Sequence, residues 1–279
     1  MRRSPATVIG LVAACSLLLV AAMMEGTTPA AFFNLPAALI VLGGTAGATL
    51  ASVGLERFKL IPTLYRKAFR AEEPDLVGRY RTLVWIAELA RREGLLAVDN
   101  RLQEVEDPFA RKGLQLVVDG ADPETVRAVL ENEIDGVAAR HHAAVQSFDK
   151  AGGLSPTMGI LGTVMALVHV LKSLDQPETL GPAISGAFIA TLYGVGAANL
   201  ILFPVANRLK ALSRSETELS QMTLEGVLSI QAGDNPRVVA DKLRAFIPPA
   251  ERSEDAVSPG PAAPPEADLL ARADELAAA

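Results

Sequence analysis

Four long apolar stretches divide an otherwise polar chain. Two lie near its start, Thr7–Met24 and Ala31–Leu55, and two more form a hairpin between Gly152 and Asn207 with a tight turn predicted at Asp175–Gly181. Each stretch is close to the ~20 residues with which an α-helix crosses ~30 Å of hydrocarbon. The pattern therefore predicts an all-α integral membrane protein with four transmembrane helices, in segments 1–55 and 152–207.

The first stretch has an alternative interpretation. Met1-Arg2-Arg3 followed by an apolar run is also the order of a signal peptide. The length of the run, the lack of a clear cleavage site and the second apolar stretch directly after it favour a membrane span.

The segment between the two pairs of spans, residues 56–151, shows helical periodicity. An amphipathic stripe begins at Leu76, and Gly94 is a plausible helix stop. Asp122-Pro123-Glu124 is a strong start signal, with a capping residue, a proline at the first helical position and an acid in the first turn. We expect a helical domain here, with its last helix running toward Lys150 and softened at Gly152 and Gly153.

After the fourth span we expect a helical tail over residues 208–247. Pro236 predicts the start of a short helix within Asn235–Ala245. The remainder, 248–279, is rich in Pro, Ala, Ser and Glu and is predicted to be disordered, with a weakly formed helix at Leu269–Ala278.

Lysine and arginine predict the orientation. In a chain that crosses the membrane four times, they all lie on one side: Arg2 and Arg3 before the first stretch, Arg57, Lys59, Arg66, Lys67 and Arg70 after the second, Lys150 before the third, and Arg208, Lys210 and Arg214 after the fourth. The turns on the other side carry Glu25, Asp175 and Glu178 and no basic residue. By the positive-inside rule, both termini and segment 56–151 are cytoplasmic.

Composition excludes several functions. A net charge of −6 offers no nucleic-acid footprint. The single cysteine, Cys15, allows no disulfide or thiolate metal site within one chain, and the three histidines form no convincing ligand set. No nucleophile elbow, P-loop, zinc motif or phosphate-binding glycine loop is present. We therefore expect no enzyme activity and no cofactor.

Two threonines of the hairpin are candidates for an ion path. Thr163 and Thr191 each lie 14 residues from Pro177 in the turn, which puts their hydroxyls at similar depth near the midplane. An ion relay through a membrane usually needs an ionisable group there, yet neither arm has an acid in its interior. A titrating carboxylate would have to come from a partner helix. The alternative is that each threonine bonds its own i−4 carbonyl.

His169 and Lys172 lie toward the external end of the third span. We interpret Lys172 as a snorkelling end residue and His169 as a packing residue rather than a relay.

One proline lies on each arm, Pro156 and Pro204, toward the cytoplasmic mouth. Prolines in membrane helices often do no more than kink them. Their position beside a large cytoplasmic segment suggests the alternative that they couple the path to that segment.

Several motifs resemble the MotA/PomA stator subunits of the bacterial flagellar motor. They are SPTMGILGTVMALV, LDQPETLGPAI and FIATLYGVGAANLILFPVANRL in the hairpin and ARREGLLAVDN in the cytoplasmic segment, and the resemblance extends over nearly all of Met1 to Leu228. The energiser subunits of outer-membrane transport, the ExbB/TolQ type, share the P-T-x-G-x-x-G-T-V element. They differ in having one span before the large cytoplasmic loop, whereas this chain has two.

The resemblance implies a multi-pass protein of the bacterial inner membrane. It also implies an assembly of five such subunits around two copies of a single-span MotB/PomB-type partner, which supplies the mid-membrane Asp. It implies that Pro156 and Pro204 take part in torque generation and that Thr163 and Thr191 line the ion path. Arg91 and Asp99 match the charged pair that faces a rotor protein of the FliG type, with Asp where the family often has Glu.

The transported ion is Na⁺ or H⁺. Thr163 resembles sodium-type relatives, whereas Ala190 breaks the threonine pair that those relatives have before Leu192. The analogy favours Na⁺. Two alternatives remain open: an energiser of a non-flagellar machine, in gliding or envelope transport, and a scaffold that conducts no ion.

Overall fold

Helices make up nearly all of the protein that the computed structural model describes, which is residues 6–71 and 74–252. No strand occurs within these two ranges. The helices are α1 Ala6–Met24, α2 Leu35–Val53, α3 Leu55–Phe58, α4 Ile61–Arg70, α5 Leu76–Glu93, α6 Leu95–Arg101, α7 Pro108–Val118, α8 Pro123–Lys172, α9 Pro177–Gln231 and α10 Pro236–Arg244. Short 3₁₀ turns occur at Pro29–Phe32, Leu102–Glu104 and Pro249–Glu251.

Side-chain caps explain where many of these helices begin. The carboxylate of Asp122 accepts from the backbone N–H of Thr125 at 2.9 Å and starts α8, and Asn235 caps α10 through the N–H of Arg237 at 3.0 Å. Both bonds satisfy donors that a helix start otherwise leaves unpaired. At the other end of α5, Gly94 has a φ of +86°, a conformation that suits glycine. The predicted starts and the predicted stop are confirmed.

Two local predictions were wrong. The turn expected over Asp175–Gly181 is shorter, because α9 already begins at Pro177, where the missing proline N–H costs no helical hydrogen bond. The softened joint at Gly152 and Gly153 is also absent, since α8 continues through both residues to Lys172.

Three of the helices are long and apolar enough to cross a membrane: α2, α8 and α9. A shorter apolar stretch occupies Ile9–Met24 of α1. The most apolar windows of the three long helices are only 17–28% buried within the chain. Much of their surface is therefore left for lipid or other chains. The predicted count of four spans stays a prediction.

The chain packs into two compact units. One comprises the described residues up to 71 together with Ala138–Arg214, and the other comprises Pro74–Val137 together with the described residues from Ser215 on. The predicted boundaries at 56, 151 and 208 refer to a membrane rather than to packing and stay predictions.

Each unit has its own apolar core. In the second unit α5, α7, α10 and parts of α8 and α9 surround Tyr80, Leu83, Leu114, Leu130 and Met222. The first unit has two clusters. One joins α4 to α8 and α9 through Ala68, Phe148, Val205, Ala206 and Leu209, and the other joins α2 to α9 through Ala37, Val41, Ile189 and Ala190.

The predicted disorder of 248–279 and the predicted helix at Leu269–Ala278 fall, beyond residue 252, outside the described residues.

Candidate ion path

Two glycines set the distance between α8 and α9. A Cβ added to Gly194 would lie 2.7 Å from the carbonyl oxygen of Ser155 and 3.0 Å from the Cα of Gly159. A Cβ added to Gly159 would lie 3.0 Å from the carbonyl oxygen of Ala190. The backbones therefore touch at this crossing, which is how helices associate in lipid, where the hydrophobic effect does not drive them together.

The crossing brings the two candidate hydroxyls together. Thr163 Oγ1 lies 2.5 Å from Thr191 Oγ1. It also lies 3.1 Å from the carbonyl oxygen of Gly159 and 2.9 Å from that of Ala187. Gly159 is the i−4 residue of Thr163, and Ala187 is the i−4 residue of Thr191. The sequence left two alternatives for Thr163, a bond to its own i−4 carbonyl and a role in an ion path. The structure shows the i−4 contact together with contacts to the other helix.

The four oxygens at this point have only two hydroxyl hydrogens between them. If Thr191 donates to Thr163 and Thr163 donates to a carbonyl, both hydroxyls are satisfied. Each threonine oxygen still has lone pairs, because a hydroxyl carries two acceptor sites. Both threonines are half-buried, and hydroxyl oxygens of this kind are suitable ligands for a hard cation.

Ser155 adds a second polar contact across the crossing, which the sequence did not reveal. Its hydroxyl is buried and donates to the carbonyl oxygen of Gly194 at 3.0 Å. The bond ties the serine to one of the two glycines of the close contact. A comparison of depths on the two arms would have paired Gly194 with Gly159, which lie 17 and 18 residues from Pro177, and would have missed Ser155, which lies 22 residues from it.

The two prolines lie at weakened turns of their helices. Pro156 lies inside α8 and leaves the carbonyl of Gly152 without its i+4 donor. Pro204 follows a π-helical segment, Ala197–Leu202, which widens the turn that its ring would otherwise crowd. A Cβ added to Gly152 would lie 2.6 Å from Cε1 of Phe203, the residue before Pro204. The two weakened turns are therefore in contact, and Gly152 serves this contact rather than a joint.

The second arm of the hairpin is bound to the turn between α1 and α2. The hydroxyl of Tyr193 donates to the carbonyl oxygen of Phe32 at 2.5 Å and accepts from the N–H of Asn34 at 3.1 Å. Next to this clamp lies a cavity of about 340 Å³ whose lining includes Asn34, Gly162 and His169. His169 is exposed, which corrects its interpretation as a packing residue within the chain.

In the second unit a polar network joins three helices. Arg79 on α5 is 2.5 Å from the carboxylate of Asp107 and donates to the hydroxyl of Thr223 at 3.1 Å. The carboxylate also accepts from the N–H of Ala110 at 2.8 Å. Burial acts to raise the pKa of Asp107, but the hydrogen bonds from Arg79 and Ala110 outweigh it and hold that pKa below its ordinary value.

Among the described residues, no cluster of three or more His, Cys, Asp or Glu side chains could hold a metal ion.

Comparison with known proteins identifies the family. Residues 101–222 match the MotA/TolQ/ExbB proton channel family. The chain is 37% identical over 249 residues to motility protein A of Borreliella burgdorferi, which covers 89% of this chain and 96% of that protein. The chain belongs to the MotA/PomA family. The resemblance predicted from the sequence is thereby confirmed.

Further relatives of this MotA/PomA-family chain agree. Chemotaxis protein PomA of Vibrio alginolyticus is 34% identical over 251 residues, covering 89% of this chain and 97% of that protein. The structure of the flagellar MotAB stator complex from Bacillus subtilis matches with a TM-score of 0.83 and 35% identity, covering 89% of this chain and 98% of that chain. These matches support a multi-pass stator subunit of the flagellar motor.

The charged pair that the MotA/PomA resemblance assigned to the rotor lies in the second unit. Arg91 is exposed in the last turn of α5, and Asp99 is exposed on α6. Arg91 donates to the carbonyl oxygen of Gly233 at 3.2 Å, and Gly94 separates the two helices. Both side chains are accessible to another protein, and their role stays a prediction.

Proposed function

We propose that this chain combines with a MotB/PomB-type single-span partner to form an ion-conducting complex that converts ion-motive force into torque on the flagellar rotor. The observation that carries the proposal is the Thr163–Thr191 hydroxyl pair at 2.5 Å, in two arms that have no acidic residue in their interior. The pair offers oxygen ligands without a group that takes up and releases an ion. A carboxylate from the partner completes the site.

The surface next to the pair suits a partner helix. Val164, Leu192 and Val195 follow the two threonines closely in sequence and are about half exposed, at 51%, 48% and 46%. Apolar side chains on both helices of the crossing offer a surface for packing in lipid. A partner helix that packs there can bring an Asp to the hydroxyls.

Na⁺ is the ion we propose, because oxygen ligands suit hard cations. Ala190 does not weaken this proposal. Its side chain is 1% exposed in the apolar cluster with Ala37 and Val41, and its Cβ lies 2.9 Å from a Cβ added to Gly162. A hydroxyl at position 190 would enter that cluster. Its absence therefore takes no ligand from the pair formed by Thr163 and Thr191.

Torque follows, in this proposal, from a change in the partner's charge. An ionised Asp side chain in the membrane has a high free energy unless polar groups or a cation lie next to it, and a neutralised Asp has a lower one. Ion binding and release therefore change which position of the partner relative to a ring of five subunits is favoured. Pro156 and Pro204 allow the helices to adjust, and Arg91 and Asp99 contact oppositely charged groups of a FliG-type rotor protein.

Ion flux into liposomes tests the proposal. The chain alone is expected to be tight to Na⁺ and H⁺, whereas the chain with a single-span partner from the same genome is expected to conduct. Selective current from the lone chain would refute the proposal that the partner supplies the ion-binding carboxylate. A complex that conducts but whose loss leaves swimming intact would favour the energiser of a non-flagellar machine.

A further inference from the structure

The segment that follows α2 concentrates positive charge at the end of a candidate span. Residues 55–71 contain five basic residues and one acid, Glu56, although the whole chain has a net charge of −6. Gly54, with a φ of +80°, turns the chain directly after Val53. This charge therefore begins within a few residues of the end of α2. Glu72 and Glu73 follow in the sequence, outside the described residues.

Helix α4 has two distinct faces. Ile61, Leu64 and Ala68 lie at helical spacing and pack against Phe148, Val205 and Leu209 of α8 and α9. Arg66 and Arg70, four residues apart and therefore on one side of the helix, are exposed. The buried face holds α4 against the first unit and leaves its arginines facing outward.

Two other basic residues near the candidate spans already have partners. Lys150 donates to the carbonyl oxygen of Ser52 at 3.3 Å, and Lys210 is 2.9 Å from the carboxylate of Asp149. Within residues 6–71 and 74–252, the structure gives Arg57, Arg66 and Arg70 no hydrogen bond or ion pair from the side chain.

Large apolar side chains accompany these arginines. Leu55, Leu60 and Tyr65 are 55%, 52% and 41% exposed, and the Tyr65 ring packs on Phe69 with centroids 4.9 Å apart. An amphipathic helix with basic side chains and exposed apolar groups, directly after a span, is typical of a surface that lies against phospholipid headgroups. A tyrosine at such a boundary places its ring in the interface.

We propose that α3 and α4 form a binding site for anionic phospholipid, with Arg57, Arg66 and Arg70 contacting the phosphate groups and Leu60 and Tyr65 entering the acyl boundary. The site rests on the membrane placement proposed above and not on the ion path. Its occupant is a lipid rather than a soluble anion, because apolar side chains and arginines are exposed together.

Lipid retention by the full chain in complex with its partner tests the site. The complex is delipidated in a neutral detergent, incubated with equal amounts of phosphatidylglycerol and phosphatidylcholine, and its bound lipids are counted by native mass spectrometry. We expect the complex to prefer phosphatidylglycerol, and the triple variant R57Q/R66Q/R70Q to lose on the order of tenfold or more of that preference. Raised salt should reduce the preference of the unaltered complex.

The matched control is R92Q/R127Q/R237Q, which removes the same charge from exposed positions of the second unit. It should keep the preference. An equal loss of the phosphatidylglycerol preference in both triple variants would show that only net charge matters and would overturn the site. An unaltered preference in R57Q/R66Q/R70Q would also overturn it. A complex that falls apart in that variant alone would show that a second copy of the chain covers α4, which also refutes the proposal. This experiment counts bound lipids and does not measure ion flux. Its result therefore tests the lipid site separately from the proposed ion conduction.

Discussion

The hydroxyl of Thr163 lies 2.5 Å from the hydroxyl of Thr191, although 28 residues separate them. The contact depends on the backbone contact between Gly159 and Gly194 a turn away. Close helix packing and a polar pair are therefore parts of one arrangement. A side chain at either glycine would separate the two oxygens.

Removing both hydroxyls should weaken ion binding while preserving shape. The double variant T163V/T191V keeps the branched side chains but loses the oxygens that would support the partner's carboxylate. We expect the Na⁺ concentration for half-maximal swimming speed to rise on the order of tenfold. Swimming speed against external Na⁺, at constant proton-motive force, measures this.

Two variants serve as controls for that prediction. Thr157→Val on the same helix removes an exposed hydroxyl, whose oxygen lies 3.5 Å from the carbonyl of Gly153, and should leave the Na⁺ response unchanged. T163S/T191S keeps the hydroxyls and should restore most of the speed. An unchanged Na⁺ response in T163V/T191V would show that the pair only stabilises the crossing or that the ion is H⁺.

The glycine contact gives a prediction about packing. Gly194→Ala places a Cβ 2.7 Å from the backbone oxygen of Ser155, and backbone atoms cannot move aside as a side chain can. We expect a loss of about 1–3 kcal/mol in stability and a complex that is recovered in lower yield. Gly196→Ala, two residues along the same helix, has no atom within 4 Å of the added Cβ. Equal yield and thermal stability of the two variants would contradict the tight crossing.

The sequence predicted the helical elements better than the contacts between them. Apolar length and capping residues are local signals, so the start of α8 near Asp122 and the end of α5 at Gly94 could be predicted. Counting residues from Pro177 placed Thr163 and Thr191 at the same depth, because the rise per residue is nearly constant in a helix.

Contacts that depend on the rotation of one helix against another were not predictable in this way. Ser155 and Gly194 carry no signal of their bond in either arm taken separately. The π-helical segment Ala197–Leu202 also has no simple local signature apart from the proline that follows it. Gly152, interpreted as a flexible joint, instead packs on the ring of Phe203, a contact that exists only when both helices are in place.

The Asp107 carboxylate gives the second unit a pH-dependent stability. Its pKa is lower in the folded protein than its ordinary value near 3.9. The ionised carboxylate therefore stabilises the fold above that value, and this contribution is lost as pH falls through the lowered pKa. Asp107→Asn should be less stable than the unaltered chain at pH 7, and the difference should shrink below about pH 4.

The fluorescence of Trp85, which packs against the core of this unit, can follow the thermal unfolding of the chain. Asp135→Asn removes an exposed carboxylate of the same unit and controls for net charge. A stability difference between Asp107→Asn and the unaltered chain that stays constant from pH 7 to pH 3 would rule out the proposed linkage.

The last prediction concerns the rotor. Arg91→Glu reverses a charge whose side chain is exposed and whose bond to the Gly233 carbonyl is also exposed, so the fold should tolerate it. Exposed ion pairs contribute about 0–1 kcal/mol each, which suits contacts that form and break at every step of a motor. We expect Arg91→Glu to abolish or strongly slow swimming, and a compensating charge reversal on the rotor protein to restore it.

Arg92→Glu, the exposed neighbour, should have a smaller effect that the same rotor change does not rescue. If no rotor reversal restores the motility of Arg91→Glu while the variant still assembles and conducts, Arg91 does not contact the rotor through its charge.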